Sequence, residues 1–110
     1  MKEHKQQEDE LVLSMAGKIL APIAASANYK SVVDKARDIL AEVNRQISQP
    51  TNQDQLELFA RTRNQIAEIA AAIVGAQLTK SGSANVSSDP EEDKNVVKWA
   101  LKLALAQYIR

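Results

Sequence analysis

A chain of 110 residues with 14 basic and 14 acidic side chains has zero formal net charge, which argues against a nucleic-acid binder that draws its affinity from phosphate neutralisation. It has no cysteine, which excludes disulfides, thiolate nucleophiles and cysteine-ligated zinc and is compatible with a cytoplasmic location. Aromatic residues are 4% of the sequence, and only three glycines and three prolines interrupt it, so one domain spanning 1–110 with an aliphatic core on a few long helices is expected.

The opening MKEHKQQEDE is polar throughout, and residues 1–8 read as a disordered tail. LVLSMAGKILAPIAASA then has the look of a signal-peptide core. The acids ahead of it and Lys18 within it argue against secretion. A first helix is expected from about Asp9 to Ala27, with Val12, Ala16, Ile19, Leu20, Ile23, Ala24 and Ala27 on one face. Pro22 falls inside that pattern and predicts a kink or a division, since it has no N–H to donate and its ring meets the preceding turn. Gly17 and Ala21 lie four apart and predict a close approach of another backbone.

The second helix is the most sharply patterned. Ser31 is placed to cap it, with Asp34 completing a capping box. Val32, Ala36, Ile39, Leu40, Val43 and Ile47 form its apolar stripe, and Asp34, Arg37, Asp38, Glu42 and Arg45 form a solvated face. It should stop before Pro50.

Asn52 and Gln55 predict the start of a third helix. Phe59, Ile66 and Ile73 recur every seven residues, with Leu56, Arg63, Ala70 and Gln77 as a companion seam. Arg63 is the candidate inward polar residue. Its guanidinium is expected to snorkel to water or to meet a carboxylate from another helix, because an unpaired buried charge is costly. The two helices and their turn, ILAEVNRQISQPTNQDQLELFARTRNQI, are similar in layout to the helical hairpins of type III secretion needle subunits and their small co-chaperones, with a short proline-containing polar turn between amphipathic helices. The similarity covers less than half of the chain. The additional first helix and the long later loop depart from the pattern, and no functional residue is carried over.

Residues 81–89, within SGSANVSSDP, read as a flexible loop. Asn85-Val86-Ser87 matches a glycosylation acceptor, which without a secretory signal is read as chance. Asp89-Pro90-Glu91-Glu92 predicts a helix start, with the aspartate as cap and the proline in the first turn. The fourth helix, KNVVKWALKLALAQYIR, is apolar over most of its circumference. Val97, Ala100, Leu101, Ala104 and Tyr108 are expected to face the bundle. Val96, Trp99, Leu103 and Ala106 are then left over as a candidate interface with a second subunit or partner. Lys94, Lys98, Lys102 and Arg110 form a basic edge, the alternative site through which a nucleic-acid-associated regulator would act.

Site chemistry is sparse. His4 is the only histidine, so histidine triads, zincin motifs and di-iron Glu-x-x-His pairs lack their parts. The acids Glu8, Asp9 and Glu10, and Glu91, Glu92 and Asp93, each sit near a predicted helix start, where the macrodipole favours them without any metal. No catalytic, cofactor-binding or metal-ligating residue is assigned. The expectation is an all-α, antiparallel bundle of about four helices, the first kinked at Pro22. It is expected to act as a non-enzymatic module that binds a second copy of itself and another protein, with no cofactor and no membrane span.

Overall fold

The computed structural model describes residues 2–23, 28–49, 52–81 and 89–108. They form four helices: α1 (Lys2–Leu20), α2 (Tyr29–Ile47), α3 (Gln53–Ser81) and α4 (Pro90–Tyr108). No strand occurs among the described residues, and the helices bury one shared aliphatic core, so the molecule is an all-α bundle.

α1 begins earlier than the apolar pattern does, at Lys2, so the polar residues 2–8 continue the helix. Pro22 ends α1 instead of kinking it. Ala21 still donates its N–H to the Gly17 carbonyl at 2.9 Å, but proline has no amide to extend the ladder. The Ile23 N–H falls back on Leu20 at 3.0 Å in a tighter turn. Ala24 and Ala27, expected on the same helix, lie outside the described residues. Leu11, Val12, Met15, Ala16 and Ile19 supply its buried face.

α2 carries its stripe as patterned, with Val32, Ala36, Ile39, Leu40 and Val43 buried and Ile47 partly so. Its cap is not Ser31. Asn28 stands in that place, with extended backbone, and its Oδ1 accepts from the N–H groups of Lys30 and Ser31 at 3.1 and 3.3 Å. Ser31 turns its hydroxyl back to the Asn28 carbonyl at 2.8 Å. An asparagine ahead of the apolar run satisfies the orphan amides one turn sooner than the serine could. The other two starts are as expected. Asn52 Oδ1 accepts from the Gln55 N–H at 2.9 Å, and Asp89 Oδ1 accepts from Glu91 and Glu92 at 3.1 and 3.4 Å, with Pro90 opening α4.

α3 is the axis of the molecule. Its 29 residues, at about 1.5 Å rise each, match the longest dimension of 43 Å; the shortest is 21 Å, two helix diameters. α2 and α3 each pack on all three other helices, which leaves α1 and α4 at opposite corners. This is why α3 buries a wide arc, Leu58, Phe59, Thr62, Ile66, Ala67, Ala70, Ala71 and Val74, and not a narrow heptad seam. Leu56, expected on that seam, is exposed.

Cross-helix pairs fix the helix directions. Glu8 meets Arg63, Ser14 donates to Glu68 at 2.6 Å, and Ile19 lies beside Gly75. α1 and α3 therefore run the same way. Gly75, not Gly17, allows the close approach. A Cβ there would stand 2.7 Å from the Lys18 carbonyl oxygen and 3.1 Å from the Pro22 ring, whereas Gly17 has nothing within 4 Å.

One tie lies outside the sequence reading. Lys35 Nζ donates to Asp93 Oδ1 across α2 and α4, with both residues only 5% exposed. Val32 and Ile39, three residues before and four after Lys35, are core residues, so the lysine sits on the apolar arc of α2 and must be paired to stay there. Asp93 lies in the first turns of α4, where the helix dipole favours a carboxylate.

Candidate functional site

α4 is where the structure departs from a self-sufficient bundle. Its buried residues, Asp93, Val96, Val97, Ala100 and Ala104, form one arc. Val96, expected on the outer border, is completely buried. It stands one turn before Ala100 on the same ridge, and α4 touches both α2 and α3, so its buried arc is rotated towards Val96. The remaining border residues stay outside. Trp99 is 48% and Leu103 55% exposed, and Ala106 is exposed beside them. Tyr108 closes α4, and its side chain lies outside those described.

On the Leu103 flank, α4 and α3 form the walls of an open groove of about 650 Å³. Ile66, Ile69, Ala72, Leu103 and Ala104 make it apolar, and Lys18 and Glu68 stand at its rim. Leu103 is legible in the sequence as a border residue of α4, whereas Ile69 and Ala72 are not. These belong to the α3 arc that α4 does not reach, and only the crossing of the two helices shows which alanine or isoleucine is left uncovered.

The opposite flank is basic. Lys94, Lys98 and Lys102, spaced four apart, line a second groove with Arg45, Gln46 and Gln49 from the end of α2 and Gln55 from the start of α3. Phe59, Leu101 and Leu105 lie beneath them. The fourth member of the expected basic edge, Arg110, lies outside the described residues, as does Ile109. Lys94, Lys98 and Lys102 form no ion pair among the described residues. Gln46 bridges the groove end, donating to the Lys94 carbonyl at 3.0 Å and to Glu42 Oε2 at 2.7 Å. Arg45 donates to both oxygens of Glu42, at 3.1 Å and 3.2 Å from Nε and 2.5 Å from Nη2. Those hydrogen bonds, more than the weaker attraction of Lys94, hold the Glu42 carboxyl below its ordinary range.

Arg63 is half-buried, its side chain 28% exposed. Its Nη1 donates to Asn44 Oδ1 on α2 at 3.2 Å and lies 3.9 Å from Glu8 Oε1 on α1. The guanidinium thus sits where α1, α2 and α3 meet, with an amide and a carboxylate from the two neighbours. It stands apart from both α4 grooves.

No three histidine, aspartate or glutamate side chains converge as metal ligands among the described residues, and no described helix is long and apolar enough to cross a membrane. The chain matches no protein-family model, no curated protein and no solved structure.

Proposed function

We propose that this protein is a non-enzymatic helical interaction module that works as a homodimer or larger oligomer in the cytoplasm and engages another protein. The observation that carries this reading is the exposure of Trp99 and Leu103, one turn apart on a helix whose other face is fully committed to the core. Leu103 also lines the groove with Ile69 and Ala72 of α3, and Ala106 is exposed on the same side of α4. A second copy can cover such a surface with the same patch, as twofold interfaces do. The non-enzymatic part rests on the sequence, which offers one histidine and no cysteine.

Light scattering coupled to size exclusion at micromolar concentration tests the assembly. A mass at least twice 12.1 kDa is expected, and Leu103→Asp should return a folded monomer with unchanged helical circular dichroism. A wild-type monomer across that range overturns the reading. The alternative of a nucleic-acid-associated regulator has the lysine row in its favour, but three lysines on a chain of zero net charge supply little counterion release.

A further inference from the structure

We propose that the groove between α4, the end of α2 and the start of α3 is a docking site for an acidic amphipathic helix of a partner protein. Charge and shape both point to that occupant. Lys94, Lys98 and Lys102 project from successive turns of α4 along one wall. From Lys94 to Leu105 the groove spans twelve residues of helix, about 16 Å from the first Cα to the last at the usual rise, which is three turns of a helix laid alongside. Its floor is apolar, with Leu101 and Leu105 half-buried over a buried Phe59. The far wall is made of the side-chain amides of Gln46, Gln49 and Gln55 and of Arg45, which Glu42 already neutralises.

A helix with leucines at i, i+4 and i+7 would meet the floor, and glutamates flanking that stripe would meet the lysines. Lys98 and Lys102 form no ion pair among the described residues, so their charge is available to a carboxylate from outside, whereas Lys94 is drawn in part to Glu42. A nucleic acid fits less well. Its phosphates have no use for a leucine floor, and the groove's aromatic ring, Phe59, is too buried for a base to stack on it. This groove lies on the opposite flank of α4 from Leu103, so the partner site and the proposed self-association surface can be broken separately.

Fluorescence anisotropy with labelled probes is the test. The first probe is a capped helical peptide of about fifteen residues with leucines at i, i+4 and i+7 and glutamates beside them. The controls are the same peptide with lysines for glutamates, a scramble of the same composition, and a short duplex DNA. The expected result is saturable binding of the glutamate peptide alone, weakened by salt and reduced roughly tenfold by Lys98→Glu combined with Lys102→Glu. Both lysines are exposed, and circular dichroism confirms that the variant folds. Leu103→Asp should leave the peptide affinity unchanged, which separates this proposal from the self-association reading on the other flank. Equal binding of the scramble or of the lysine peptide overturns the proposal, as does absence of binding at millimolar protein. Tighter binding of DNA overturns it in favour of a nucleic acid. Dispersal of the wild-type oligomer by the lysine variant overturns it in favour of a second copy of this chain.

Discussion

α2 and α4 are both 19 residues long, and they divide their side chains differently. α2 separates an aliphatic stripe from a charged face, and its large aliphatic residues enter the core or pack partly against it, with Tyr29 in its first turn the one large exposed apolar side chain among those described. α4 is apolar over a wider arc than the bundle can cover, so Trp99 and Leu103 remain in water. α2 lies against all three other helices, whereas α4 occupies a corner. The apolar content of a helix thus becomes informative about function once the surface offered by its neighbours is known. An excess of apolar side chains over available covering is what a partner would use.

The largest effect expected is at the contact that joins the two helices. Lys35→Met leaves the Asp93 carboxylate buried without its cation, and urea unfolding should show a loss of about 3–5 kcal/mol. Lys35→Met combined with Asp93→Leu removes both charges and should recover most of the loss, since an apolar pair of similar volume costs no desolvation. A single-mutant loss below about 1 kcal/mol, the range of exposed pairs, would mean that water reaches the pair and that the first turns of α4 are held by Val96 and Val97 instead.

Truncating one large aliphatic side chain on each helix should have unequal consequences. Ile39→Ala empties a fully buried site on α2 and should cost about 2–5 kcal/mol. Leu103→Ala removes a side chain of similar size from α4 and should change the monomer's stability by about 0.5 kcal/mol or less. The loss at Leu103 should grow with protein concentration if that residue is covered by a second copy, because association stabilises only the folded form. Equal costs at the two sites, independent of concentration, would place Leu103 in the core and remove the contrast between the helices.

How much of this is legible in the sequence follows from the same contrast. The α2 stripe reads directly because one face suffices for its burial, and the caps at Asn52 and Asp89 read directly because they depend on neighbouring residues alone. Pro22 announces a break but not its form; in the structure the chain stops being helical there because proline offers no amide and the Ile23 N–H turns back to Leu20. Val96 and Val97 are adjacent in sequence and both fully buried, the two edges of one arc whose rotation on α4 the wheel alone does not fix. Their shared burial follows from α4 lying across two helices at once. Lys35 carries a signal that was available, a cation on the apolar arc of α2, but its partner lies 58 residues away and no local pattern points to Asp93. The α4 lysine row was legible as a stripe. That it faces a groove floored by Leu101 and Leu105 was not, because the floor is completed by Phe59 and the end of α2.

The smallest expected effect concerns charges that α2 satisfies internally and α4 does not. Glu42 is hydrogen-bonded by Arg45 and Gln46, and its carboxyl is held below the ordinary value of 4.5 chiefly by Arg45. A carboxyl whose acidity is strengthened by folding stabilises the native state above its unfolded pKa and loses that contribution as pH falls through the folded one. Glu42→Gln should therefore cost about 0.5 kcal/mol at pH 7, the range of adjacent-turn ion pairs. The gap between variant and wild type should narrow below pH 4.5 and close at lower pH, where the glutamate is also neutral. The reverse substitution in sense, Lys98→Gln on α4, should be nearly neutral in the isolated protein at every pH, because that ammonium has no carboxylate to lose among the described residues. Thermal unfolding of the three proteins between pH 3 and pH 7 makes the comparison. A Glu42→Gln penalty that persists at pH 3 would assign its role to hydrogen-bond geometry and not to charge. A substantial penalty for Lys98→Gln would show that the α4 lysines are engaged within the chain and are not free to meet a partner.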